Sequence, residues 1–269
     1  MVARSWGAGW LLRCGALVGA VVLVGAAGCS SGKDSGAGGG ASDGVSGEVT
    51  VFAAASLKES FTELGQRFEK DHPGVKVTFS FGGSDALAAS IRGGAPADVF
   101  ASASARTMKI VTDAGGAVGA PATFVRNELE IATLPGNPEG ISSLKDLTKS
   151  GLKVVLCDVE VPCGAATQKA LGVSGLRLTP VSYEQDVKAA LTKVELKEAD
   201  AAVVYKTDVI AAGDKVAGVE FPEAADAVND YPIALLKDAP NADAAQAFIA
   251  LVRSGAGQEV LSDAGFLKP

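Results

Sequence analysis

Four junctions between a loop and a helix carry small or hydroxyl residues: Ala53-Ala54-Ala55-Ser56, Phe81-Gly82-Gly83-Ser84, Val161-Pro162-Cys163-Gly164 and Gln185-Asp186-Val187. The first N–H groups of a helix have no acceptor within the helix, and its N-terminus is the positive end of the macrodipole. Several such starts facing one cleft would hold an anion by hydrogen bonds alone, without lysine or arginine. Ser56 and Ser84 would add hydroxyl donors, and Gly82 and Gly83 would let backbone approach a ligand closely. For either serine taken singly, an ordinary helix N-cap is the competing role.

Other chemistry has little to work with. The chain has 269 residues and one histidine, His72, which leaves no room for a multi-histidine metal site and little for histidine-based catalysis. His72 precedes Pro73 in a helix-ending turn and is expected to be exposed. Asp98 reads as structural at a strand start, and Asp158 with Glu160 is too sparse a carboxylate pair for a metal. No nucleophile elbow, phosphate-binding P-loop or dinucleotide fingerprint is present. With 24 basic against 31 acidic residues the net charge is −7, which argues against nucleic-acid partners and against a basic patch for anionic lipid. A composition 48% hydrophobic and 20% charged is globular, and the length suggests two domains.

The elements that must position those junctions alternate between strand and helix. Residues 48–53 read as a strand with β-branched Val49, Thr50 and Val51. Ser56 and Glu59 form a capping-box pattern, ahead of Leu57, Phe61, Leu64 and Phe68 at helical spacing. Residues 75–81 alternate as a strand, Ser84 opens a helix through Leu87 and Ile91, 98–100 is a short buried strand, and Met108, Ile110 and Val111 lie on a third helix. A long apolar stretch, 122–133, is the expected crossing into a second domain, with strands at 153–157 and 201–205 and helices at 164–171 and 187–196. The strand 231–236 suits the return crossing, and helices at 242–253 and 256–264 would pack back on the first domain. This rhythm means α/β units on largely parallel sheets, and two crossings make a hinge with a cleft between the lobes.

The first residues read as an address. Arg4 and Arg13 precede an apolar run, 16–27, that ends in Gly28-Cys29. That is a secretory signal, too short for a transmembrane helix of about 20 residues. Ala26-Ala27-Gly28-Cys29 resembles a bacterial lipoprotein signal in which the cysteine becomes the lipidated first residue; Ala26 stands where leucine is usual. Residues 30–47 contain seven glycines and five serines, a flexible tether. Cys14 leaves with the signal and Cys29 carries lipid, so Cys157 and Cys163 remain in the body. Outside the cytoplasm such a pair is expected to form a disulfide, the alternative being two separate buried thiols.

The run Val51-Phe52-Ala53-Ala54-Ala55-Ser56-Leu57 resembles the opening of the periplasmic molybdate-binding proteins of ABC transporters. The likeness continues through Phe81-Gly82-Gly83-Ser84, Gly94-Ala95-Pro96-Ala97-Asp98-Val99-Phe100-Ala101-Ser102-Ala103 and Asp158-Val159-Glu160-Val161-Pro162-Cys163-Gly164. It returns in Asp186-Val187-Lys188-Ala189-Ala190-Leu191, Val203-Val204-Tyr205-Lys206-Thr207-Asp208, Phe221-Pro222-Glu223 and Tyr231-Pro232. The resemblance implies an α/β fold of the two-lobed periplasmic-binding-protein class (type II). It divides the chain into a signal at 1–28, a lipidated Cys29 with its tether at 29–47, one lobe of 48–127 plus 230–269 and a second of 128–229. It also implies an oxyanion ligand, molybdate or tungstate, held by Ser56 and Ser84 through side chain and backbone, by the backbone N–H of Cys163 and Val187, and by the Tyr205 hydroxyl. No cofactor, no catalytic residue and no direct metal ligand are implied. A monomer tethered by lipid to the outer face of the membrane would deliver the ion to a permease.

Cys163 departs from the family, which more often has alanine after that proline, but a backbone donor does not depend on its side chain. Tyr205 as a plain core residue is the competing role. A site made only of donors favours a fully deprotonated anion, because a protonated one leaves a polar contact unmatched at about 1–3 kcal/mol. Sulfate, molybdate and tungstate meet that condition near neutral pH, and phosphate does not. A receptor for another oxyanion such as sulfate, and an enzyme on the same bilobal fold, are the alternatives.

Overall fold

The computed structural model describes residues 45–269; the signal, the lipidation at Cys29 and the tether as far as residue 44 lie outside the described residues. In chain order the body runs β1 (Gly47–Ala54), α1 (Lys58–Asp71), β2 (Val75–Gly82), α2 (Ser84–Arg92), β3 (Val99–Ala101), α3 (Ala105–Asp113), β4 (Ala122–Asn127) and β5 (Leu129–Thr133). It continues β6 (Val154–Cys157), α4 (Pro162–Ser174), β7 (Ser182–Glu184), α5 (Val187–Glu195), β8 (Ala201–Tyr205), α6 (Lys206–Ala212), β9 (Ala217–Val219), β10 (Asn229–Leu235), α7 (Ala242–Arg253) and α8 (Gly255–Asp263).

The strands form two five-stranded sheets, β2-β1-β3-β10-β4 and β7-β6-β8-β5-β9. In the first, β1, β2 and β3 are parallel; in the second, β6, β7 and β8 are. Parallel strands need crossover helices, so helices cover these sheets and each lobe buries its own core. In the first lobe the Phe61 ring packs 5.8 Å from Phe124 and 6.0 Å from Phe248, both buried. Burying one such side chain stabilises the fold by about 1.5–3 kcal/mol. The second lobe has a separate core of Leu129, Ile131, Leu156, Val203 and Tyr205 among others. Ala55, just past β1 of the first sheet, packs into that second core.

The apolar stretch at 122–133 is two strands, not one. β4 pairs with β10 in the first sheet and β5 with β8 in the second, and Glu128 between them is where the chain changes lobe. It returns immediately before Asn229, which pairs in register with Asn127. The strand at 231–236 begins two residues earlier than its apolar pattern indicates and lies wholly in the first sheet.

Two local expectations are corrected. The capping box of Ser56 and Glu59 does not form: residues Ala55–Leu57 make a 3₁₀ turn, α1 starts at Lys58, and its N-cap has no side-chain hydrogen bond. The Ser56 hydroxyl instead lies 2.8 Å from the Tyr231 hydroxyl, and Glu59 pairs with Lys188 at 2.9 Å. Long-range partners outcompete the local cap. His72 is half-buried rather than exposed, its ring 4.5 Å from that of Phe68. Asp98 is structural, accepting from the backbone N–H groups of Thr50 at 2.7 Å and Asn241 at 2.6 Å.

Cys157 and Cys163 are disulfide-bonded, with Cα atoms 5.8 Å apart. The bridge ties the end of β6 to the second residue of α4. Closing so short a loop contributes about 2 kcal/mol by the chain-entropy argument. Directly after it, Gly164 allows a close approach: a Cβ there would sit 1.9 Å from the Asp158 carbonyl oxygen.

Candidate functional site

The parallel strands of both lobes point their carboxyl ends at one cleft, where open α/β sheets place their ligand sites. Ser56 follows β1, Ser84 follows β2, Cys163 follows β6, Val187 follows β7, and Tyr205 ends β8. All five line a single small cleft, together with Gly82, Gly83, Ala103, Pro162 and Asp186. All five are buried, at 4% exposure or less.

Ser84, Cys163 and Val187 occupy the first turns of α2, α4 and α5, where the helix offers their N–H groups no acceptor. Neither serine is a side-chain N-cap. The Ser84 hydroxyl accepts from the Ala103 N–H at 3.0 Å, which leaves its own proton free. The Tyr205 hydroxyl accepts from Asn229 Nδ2 at 2.8 Å, so its proton too is free to be given. Burial, foremost, holds the Tyr205 pKa well above the usual phenol value, so the proton stays on. Burial likewise raises that of Tyr231, the partner of Ser56.

No lysine, arginine or histidine is among the residues lining this cleft. Lys188, next to Val187, lines a different surface pocket, where it bridges Glu59 at 2.9 Å and Asp208 at 3.1 Å. Asp186 borders the cleft, but its carboxylate is turned into the first turn of α5, accepting from the Ala189 N–H at 2.9 Å. The cleft therefore offers an anion hydroxyl protons and helix-start N–H groups.

The lobes meet closely around it. A Cβ on Gly83 would lie 2.5 Å from the Gln185 carbonyl oxygen of the opposite lobe. Arg106 of α3 reaches across to the Glu160 carboxylate at 3.3 Å and to the Glu160 carbonyl. Tyr205 and Tyr231, from the two sheets, meet edge to face with ring centroids 6.0 Å apart.

The five residues expected from the sequence thus come together. Those behind them were not anticipated: Tyr231, Asn127 and Asn229, and the Lys188–Asp208 pair behind Tyr205. Their neighbours lie up to 175 residues away in the chain, and no local pattern marks such contacts.

Comparison with known proteins agrees with this architecture. A family model described as bacterial extracellular solute-binding protein matches residues 49–267. A molybdate-binding protein, ModA, of Mycobacterium tuberculosis H37Rv is 42% identical over 260 residues, covering 97% of this chain and 99% of that one. The solved periplasmic molybdate-binding protein of Azotobacter vinelandii superposes with a TM-score of 0.72 at 22% identity, over 82% of this chain and 99% of that one. The sulfate-binding protein SubI of M. tuberculosis superposes nearly as well, with a TM-score of 0.71 at 19% identity over 81% and 86% of the two chains. At those identities the superpositions establish the two-lobed α/β fold and do not choose between the two anions. The matched span and the 42% identity place the chain in a family: it belongs to the bacterial extracellular solute-binding proteins.

Proposed function

We propose that the protein captures molybdate, and tungstate with it, in the cleft between its lobes and hands it to the permease of an ABC transporter. The observation that carries this reading is the convergence of Ser56, Ser84, Cys163, Val187 and Tyr205 on one cleft lined by no cationic side chain. Two lobes, 48–127 with 230–269 and 128–229, would close over the ion by bending at the two crossings. Ser56, Ser84 and Tyr205 would donate hydroxyl protons, and Ser84, Cys163 and Val187 backbone N–H groups, with that of Ser56 expected to add to them. The disulfide would hold the start of α4 in place as one wall. Lipid on Cys29 would keep a monomeric body at the outer face of the membrane, within reach of the permease. The role is binding, not catalysis.

Thermal unfolding of the purified protein with molybdate, tungstate, sulfate and phosphate in turn tests the reading. A ligand at about 1,000 times its Kd stabilises by roughly 4 kcal/mol, an easily visible shift. Shifts with molybdate and tungstate alone support it. An equal sulfate shift keeps the receptor and replaces its ligand. No shift, for protein shown free of carried-over anion, overturns it.

Closure gives a separate prediction. Gly83→Ala puts a Cβ against the Gln185 carbonyl oxygen at a separation that real Cβ atoms do not tolerate. Gly83 has φ −60°, so the added methyl strains no backbone; within its own lobe it meets only a side-chain end, Asp85 Oδ1 at 2.8 Å, which can turn aside, whereas the Gln185 carbonyl is backbone and the larger cost falls on the closed lobes. Overpacking of about 1–3 kcal/mol should weaken molybdate binding about 10- to 100-fold. Titration calorimetry should show that loss while the unliganded melting temperature stays near wild type.

A further inference from the structure

We infer that Asn229, with Asn127 beside it at the lobe crossings, is a positioning residue that sets anion specificity by turning the cleft hydroxyls so that they present protons and not lone pairs. The inference rests on the oxyanion-receptor reading and deepens it.

The two asparagines are register partners in the β4–β10 ladder, at the points where the chain passes between lobes. Directly paired residues of an antiparallel ladder project from the same face. Each amide has one orientation, because each makes a bond that only one of its ends can make. Asn229 Nδ2 lies 3.3 Å from the Pro162 carbonyl oxygen, which can only accept, so the NH₂ end faces that side. The same nitrogen lies 2.8 Å from the Tyr205 Oη. Asn127 Oδ1 accepts from the Glu128 N–H at 3.0 Å, a group that can only donate. Its NH₂ end must then face Thr207 Oγ1 at 2.8 Å and Tyr231 Oη at 3.4 Å.

A hydroxyl has one proton to give. With Asn229 donating to it, the Tyr205 oxygen has its rear lone pair occupied and its proton available to the cleft that Tyr205 lines. With Asn127 donating to it, Tyr231 can pass its own proton to Ser56 Oγ at 2.8 Å, and the Ser56 proton is then released toward the cleft. Ser84 is set in the same sense by the Ala103 N–H. Ser84 and Tyr205 are thus filled from behind by a fixed N–H donor, and Ser56 is filled when the Tyr231 phenol donates to it. An oxyanion that still carries a proton, such as inorganic phosphate near neutral pH, finds no acceptor facing it among these hydroxyls. Specificity for unprotonated anions is set one layer behind the ligand, by groups that never touch it.

The test is a double-mutant cycle between Asn229 and Tyr205, with molybdate and inorganic phosphate as probes, titrated at neutral pH on the purified chain. Asn229→Asp keeps the shape but replaces the NH₂ donor with an acceptor, which takes the Tyr205 proton and leaves a lone pair facing the cleft. It should weaken molybdate about 100-fold while phosphate is weakened less or gained, so the preference narrows at least tenfold. Asn229→Leu, which only removes the donor, should weaken molybdate about tenfold and narrow the preference in the same direction. On a Tyr205→Phe background, Asn229→Asp should cost less than about threefold, because the group it acts through is gone. An equal cost in both backgrounds would mean charge repulsion or displacement of α4, and would overturn the inference, as would an unchanged molybdate-to-phosphate preference. If the wild type takes sulfate instead, the same cycle is decisive with sulfate. A wild type that binds none of these anions overturns the receptor reading itself, an outcome distinct from an additive cycle on a protein that binds.

Discussion

Ser84→Ala and Tyr205→Phe, combined, should weaken molybdate binding about 10²- to 10⁴-fold, since each removes one hydrogen bond to a charged ligand, about 1.5–3 kcal/mol. The two residues come from opposite lobes and share no protein partner, but both would bind the same anion, so the sum of the single losses is the reference from which a double-mutant cycle measures their coupling through the ligand. The single variants should differ in what else they lose. Ser84 Oγ is the acceptor for the buried Ala103 N–H, so the alanine variant strands a backbone donor and should lose about 1–3 kcal/mol of stability as well as affinity. Tyr205→Phe leaves Asn229 its bond to the Pro162 carbonyl and keeps the ring in the core, so it should lose affinity with little change in melting temperature. Calorimetric titration and urea unfolding on the same samples separate these contributions. Normal binding by both single variants would remove the site assignment altogether.

Most of the elements that rest on local pattern are legible in the sequence. Helical spacing from Leu57 to Phe68 lies where α1 runs, and the helix expected at 164–171 lies within α4, which starts two residues earlier with Pro162 at its first position. Helix starts that follow parallel strands must open toward the strands' carboxyl ends, so the convergence of Ser56, Ser84, Cys163 and Val187 follows from the alternation of elements. What the pattern could not carry is choice among partners. The Ser56–Glu59 spacing fits a capping box, yet the hydroxyl finds Tyr231 and the carboxylate finds Lys188, both brought in by the far end of the chain. The stretch 122–133 reads as one run although Arg126, Asn127 and Glu128 interrupt it at the lobe crossing, because Phe124 and Val125 of β4 and all of β5 are buried, in different sheets, and hydropathy does not record which sheet buries a strand. α6 is a seven-residue helix placed directly after β8, too short to display a period. Asn127 and Asn229 gain their meaning only when their strands pair.

Loss of Lys188 should be felt strongly in the fold. Asp208 behind it is fully buried, and desolvation foremost raises its pKa to about 6 even though Lys188 opposes the rise from 3.1 Å. Burial alone would lower the Lys188 pKa, but Asp208 and Glu59 outweigh it and the lysine stays charged. Lys188→Met removes the counter-charge and leaves the aspartate alone, and breaking a buried pair in this way costs about 3–5 kcal/mol. The pH dependence has a definite sign. A carboxyl whose folded pKa is raised holds its proton more tightly in the folded state, so its effect on stability is most favourable below the unfolded value of 3.8 and is lost as pH rises through about 6. In Lys188→Met the folded value rises further, so the loss should continue to higher pH. Wild type and variant should therefore differ little near pH ~4 and most above pH ~7 in urea unfolding. Adding Asp208→Asn should restore most of the stability at the higher pH, because the amide oxygen can still accept the Tyr205 N–H that Asp208 Oδ2 accepts at 3.1 Å. A variant equally destabilised at all pH values would show that the lysine stem's packing, and not its charge, is what counts. Because Lys188 also reaches Glu59 of the other lobe, the same variant should close on ligand less tightly, and the Asp208→Asn rescue should return stability without returning that inter-lobe contact. Stability and affinity should then separate in the double variant, which a purely structural role for Lys188 would not produce.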